Sequence, residues 1–165
     1  MKPSAYIESS IPSYLAARPS ANLLIAAHQQ VTSVWWQTAR EKYDLYVSEV
    51  LMTEIRQGNP EAAARRIAFV SDLPVLALND EIRRLARLYR ERAGLPEEAG
   101  ADMAHVAMAS FHKAHYLVTW NCAHIANRVV VRRLTEFNLA ARRHMPLIVT
   151  PEDLLEPGWE TQHDS

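Results

Sequence analysis

The sequence predicts an α/β protein: a small central parallel sheet of about five strands with helices on both faces. Three observations carry this. Five short, mostly apolar runs are spread along the chain, each with the character of a strand buried on both faces. Between them lie stretches whose apolar residues recur at helical spacing. Those stretches start and stop on capping residues, so strand and helix alternate, as in a parallel sheet covered by helices.

The first run is Ala5-Tyr-Ile7. Ser20 precedes a helix whose apolar positions are Leu23, Leu24, Ala27, Val31, Val34 and Trp35. The second run is Leu45-Tyr-Val47. Asn59-Pro60-Glu61 then reads as an N-cap, a first-turn proline and an acid matched to the helix dipole. Pro74-Val-Leu-Ala-Leu78 is the third run. Asn79 or Asp80 caps the next helix, in which Ile82, Leu85, Leu88 and Tyr89 form one stripe and Gly94-Leu95-Pro96 is the stop. A helix opening near Asp102 leads to the fourth run, Tyr116-Leu-Val-Thr119, and Leu147-Ile-Val149 is the fifth. No repeat or linker divides the chain, so one domain is expected over 1–155. The tail 156–165, with Pro157-Gly158, is expected to be loosely ordered.

With 165 residues, 48% hydrophobic and 22% charged, the chain can bury an ordinary core without staples. A net charge of −1 gives no global field for polyanions. Arginine nevertheless far outnumbers lysine and clusters at Arg65-Arg66, Arg83 to Arg92, Arg128 to Arg133 and Arg142-Arg143. These clusters are either phosphate-binding patches or solvated helix faces in weak surface pairs. The single Cys122 excludes an internal disulfide and a cysteine-based zinc site, and fits a reducing cytoplasm. The first residues have no apolar signal core, and no apolar run nears the roughly 18 residues of a membrane span. His105, His112 and His115 are too dispersed for zinc.

In parallel sheets ligands bind beyond the carboxyl ends of the strands. Glu8 with Ser9 and Ser10 ends the first run, and Glu54 lies one turn into the helix after the second. Asp102 opens the helix before the fourth run, which ends in Thr119-Trp120-Asn121. Glu8, Glu54, Asp102 and Asn121 could therefore share one edge of the sheet. An acid such as Asp102 either complements a helix dipole or helps to hold a divalent metal. Clustered carboxylates repel, and a cation relieves that repulsion. Oxygen-only ligands favour Mg²⁺ or Mn²⁺, and such a site can lower the pKa of a water and stabilise charge on a phosphodiester. Glu49 reads as a helix N-terminal acid.

The chain from about Tyr6 to Asp153 resembles the PIN domain family, in particular VapC-type toxins, through four segments: Tyr6 to Leu15, Val47 to Ile55, Ala101 to Ala109, and Leu117 to Asn127. The resemblance implies a PIN-like three-layer sandwich and an acidic site for Mg²⁺ or Mn²⁺. Glu54 and Asp102 match family acids. Glu8 stands where the family usually has aspartate, and Asn121 where it usually has a further aspartate. The implied metal ligands are Glu8, Glu54 and Asp102, with Asn121 positioning the ion or a water. Ser9, Ser10, His105 and Thr119 are supporting, with His105 expected to bond Asp102, and His124 and Asn127 are expected to fix the loop after the fourth strand. The implied function is a metal-dependent endoribonuclease, the toxin of a toxin–antitoxin pair, cytoplasmic and homodimeric, with RNA and an antitoxin as partners. The alternative, raised by the departures at Glu8 and Asn121, is a catalytically impaired PIN-fold module that binds RNA or protein.

Overall fold

The computed structural model describes residues 1–155, and the tail 156–165 lies outside the described residues. Strands β1 (Ser4–Ile7), β2 (Asp44–Ser48), β3 (Val75–Leu76), β4 (Tyr116–Val118) and β5 (Leu147–Val149) form one sheet in the order β3-β2-β1-β4-β5. Every pair is parallel, with Tyr6 level with Tyr46 on one side and Leu117 on the other. The helices are α1 (Ser10–Ala16), α2 (Leu23–Lys42), α3 (Glu49–Ile55), α4 (Pro60–Val70), α5 (Asp80–Ala93), α6 (Gly100–Phe111), α7 (Arg128–Ala140) and α8 (Pro151–Leu155).

Alternation along the strands sends side chains to two cores, which makes three layers. Ala5, Ile7, Val47, Tyr116 and Val118 pack with Trp35 and Ala39 of α2, Ile11 of α1 and Leu51 of α3. Tyr6 and Leu117 face the other way, among Ile82, Leu85 and Tyr89 of α5, Met103 and Val106 of α6, and Val130 and Leu134 of α7. Asparagine caps recur: Asn22, Asn59, Asn79 and Asn127 each accept backbone N–H groups at a helix start. At the end of α5, Gly94 takes a left-handed φ of 69°, where a Cβ would lie 3.0 Å from the Arg133 guanidinium.

Four expectations need correction. The cap of α2 is Asn22, not Ser20; Ser20 Oγ instead accepts the Asn22 N–H. Leu23, Leu24 and Val34 are exposed, because α2 buries the face of Thr32, Trp35 and Ala39. Leu88 is likewise exposed, the α5 stripe being completed by the smaller Ala86 and Ala93. The third strand shrinks to Val75–Leu76, an edge strand with one neighbour to pair with. Helix α1, directly after Glu8, was not expected; Pro12 falls in its first turn, where its missing N–H has no intrahelical partner to lose. Among the described residues no helix is long and apolar enough to cross a membrane.

Candidate active site

The strand order turns back on itself at β1, with β2 and β3 on one side and β4 and β5 on the other. Such a switch opens a crevice beyond the carboxyl ends of the central strands. Glu8 follows β1 and Thr119 follows β4, and the Glu8 N–H donates to Val118 O. Glu8 is only 4% exposed. Its Oε1 accepts from Thr119 Oγ1 at 2.5 Å and Ser10 Oγ at 2.6 Å, and Oε2 accepts the Ser10 N–H at 3.0 Å. Both hydroxyls in turn accept backbone N–H groups, of Asn121 and Trp120. A buried charge is tolerable when hydrogen-bonded in this way. Thr119→Val removes a donor to Glu8 and the acceptor for the Asn121 N–H. We expect a loss of about 1–3 kcal/mol in chemical denaturation, and an unchanged midpoint would contradict this.

Helix α6 contributes Asp102 and His105, and α3 contributes Glu54 near its end. His105 is fully buried; its Nε2 donates to Glu54 Oε1 and lies 3.1 Å from Ser9 Oγ. Its Nδ1 is 2.6 Å from the Tyr6 hydroxyl, which is 2.7 Å from Ser48 Oγ. Both ring nitrogens are thereby filled, so the expected bond from His105 to Asp102 does not form. Asp102 Oδ2 pairs instead with His124 Nδ1 at 2.8 Å. Asn121 Oδ1 accepts the His124 N–H at 3.0 Å, so its side-chain oxygen caps the turn after β4. Glu49 begins α3 and accepts the Leu78 N–H, apart from this cluster. Tyr6, Ser48 and the ring of His124 escaped the sequence analysis as site residues. Tyr6 reads as a core strand position and Ser48 as a cap; only His124, a polar residue just past β4, offered a signal.

Burial alone would pull the His105 pKa down. The hydrogen bond to Glu54 and the charges of Glu8, Glu54 and Asp102 outweigh it and hold the imidazole above its ordinary value. A raised folded-state pKa means the folded protein holds the proton more tightly than the unfolded chain. The associated stability is therefore full below about pH 6.5, the unfolded value, and is lost as pH rises through the folded pKa. Metal-free protein should melt at falling temperature as pH climbs from about 6.5, with a shallower slope in Glu54→Gln. A flat or rising wild-type profile would contradict the assignment.

Three carboxylates thus act on one buried imidazole. Among the described residues no three His, Cys, Asp or Glu side chains are arranged to hold a metal ion. Two of the acids are drawn instead to histidines. The donor set nonetheless fits a hard divalent cation. It is all oxygen, and among the described residues Glu54 Oε2 and Asp102 Oδ1 have no hydrogen-bond partner.

The arginines divide. Arg66 and Arg133 donate to backbone carbonyls, and Arg40 makes a two-pronged pair with Asp72. Arg83, Arg87 and Arg90 line a cleft of about 240 Å³ between α5 and α6, with Gly100 and Ala104 as its small-residue wall; Arg83 there pairs with Asp80 at 2.8 Å and Arg90 donates to Leu95 O.

No family model matches the chain, and neither does any curated protein. Among solved structures it is similar to a chain in the crystal structure of VapBC2 from Rickettsia felis bound to a DNA fragment from their promoter. The TM-score is 0.56 at 14% sequence identity, covering 88% of this chain and 97% of that chain. The fold is therefore PIN-like: a five-stranded parallel sheet flanked by helices.

Proposed function

We propose that this protein is a PIN-type, metal-dependent endoribonuclease, acting as the toxin of a toxin–antitoxin pair. The observation that carries the reading is that Glu8, Glu54 and Asp102 lie near enough for their charges to act on His105, beside the switch point of the sheet. The PIN-like fold shared with a VapBC2 chain supports it. Glu8, Glu54 and Asp102 are the proposed ligands of Mg²⁺ or Mn²⁺, which when bound supplies Lewis acidity and makes water a stronger nucleophile. Thr119 and Ser10 fix the Glu8 carboxylate, His105 holds Glu54, and His124 holds Asp102. Asn121 holds the loop carrying His124 and acts on the site through it. The cleft of Arg83, Arg87 and Arg90 attracts the RNA backbone without reading sequence. A homodimer, an antitoxin and a cytoplasmic setting belong to the same proposal.

A second reading, an impaired PIN-fold module that binds RNA or protein, is favoured by the commitment of the Asn121 oxygen to a turn. Incubation of purified protein with mixed RNAs in Mn²⁺, with and without EDTA, separates the two. EDTA-sensitive fragmentation is expected. RNA retained intact, with binding preserved, would favour the module.

A further inference from the structure

We propose that Tyr6 and His105 are positioning residues that fix the Glu54 carboxylate through a buried relay of hydrogen bonds. The proposal rests on the acidic-site reading above and deepens it. The relay begins at the first turn of α3, where Ser48 Oγ accepts the Leu51 N–H at 3.1 Å. It passes to the Tyr6 hydroxyl on β1, then to His105 Nδ1 on α6, and from Nε2 to Glu54, back on the last turn of α3. Ser48, Tyr6 and His105 all have zero exposure, so water does not compete for these groups.

The direction of each link follows from chemistry. A carboxylate only accepts, so Nε2 carries the hydrogen that faces Glu54. With a neutral ring, Nδ1 accepts from Tyr6, Tyr6 accepts from Ser48, and Ser48 accepts from the Leu51 N–H. Every hydrogen in that sequence has an acceptor. On protonation Nδ1–H donates to Tyr6 and Tyr6 donates to Ser48, while the bond to Glu54 is the same in both states. The relay therefore orients Glu54 whichever form the ring takes. Phenylalanine would fill the strand position of Tyr6 equally well; the hydroxyl is what the relay requires. Glu54 is a long side chain on a seven-residue helix and is part-exposed. Held at Oε1, it loses rotamer freedom while Oε2 stays outside the relay. Partners that orient a ligating carboxylate typically change metal affinity by about 10–100-fold.

The test uses the full chain with Tyr6→Phe, His105→Phe and both together. In metal-free protein, NMR of ¹⁵N-labelled histidine should show a His105 Nε2-bound hydrogen protected from water. Tyr6→Phe, which keeps the packing, should perturb that resonance. In Mn²⁺ titrations Tyr6→Phe should weaken binding about 10-fold. Adding it to His105→Phe should produce no further loss, since both act through one chain. A Tyr6→Phe variant with wild-type Mn²⁺ affinity and an unmoved His105 resonance overturns the relay, as does an additive double variant. If wild type binds no Mn²⁺, the metal reading fails separately. The resonance then decides alone, and rapid exchange of the Nε2 hydrogen overturns the proposal.

Discussion

Asp102→Asn is expected to lower Mn²⁺-dependent RNA cleavage on the order of 100-fold while leaving the fold intact. Asp102 sits in the first turn of α6, with one oxygen on His124 and the other without a hydrogen-bond partner among the described residues. Asparagine keeps the shape and one oxygen but removes a full negative charge. A hard cation depends on that charge, and the histidine contact loses its ionic part. Asp102 is part-buried, and the helix-dipole contribution of such a first-turn acid is at most about 2 kcal/mol, so stability should fall only modestly. A large fall in cleavage with a small fall in melting temperature separates a site role from a helix-stabilising one. Equal cleavage rates would sink the mechanism.

Trp35→Ala is expected to be among the most destabilising single changes, about 3–5 kcal/mol by denaturant unfolding. Trp35 is 1% exposed and belongs to the core between α2 and the sheet, close to Tyr43 and Trp36. Truncation leaves a cavity that the five-stranded sheet cannot collapse to fill. The indole N–H has no hydrogen-bond partner among the described residues. Trp35→Phe removes that buried, unpartnered donor along with some apolar area, so it should lose far less. The damage from alanine should also reach the site. Helix α2 holds Trp120 through Thr32 Oγ1 at 2.7 Å, and Trp120 adjoins the Thr119 that donates to Glu8. Equal losses for the two variants would contradict this account of the Trp35 packing.

Much of the architecture was legible because strand burial leaves a strong local signal. Ala5 to Ile7 and Leu147 to Val149 are apolar with little competing reading, and both lie in strands. The errors fell where the signal was local and the outcome tertiary. Leu23 and Leu24 have helical spacing, yet nothing in the sequence says which face of α2 meets the sheet. Helix α1 follows a strand end rich in serine and proline, residues that favour turns as readily as a first helical turn. At the site, Glu8, Glu54 and Asp102 were legible as acids near strand ends and helix starts, and the charges of all three act on His105. The pairings themselves were not legible. Whether His105 meets Asp102 or Glu54 depends on how α6 lies against α3 and β1, which no spacing along α6 records.

The shared acidic site is tested most directly by calorimetric titration of Mn²⁺ into wild type, Asp102→Asn and Glu54→Gln. Wild type should bind with a constant on the order of millimolar or tighter, and each variant should lose about 10-fold or more. Absence of binding in wild type, or equal affinity in all three, would contradict a cation site built from these acids.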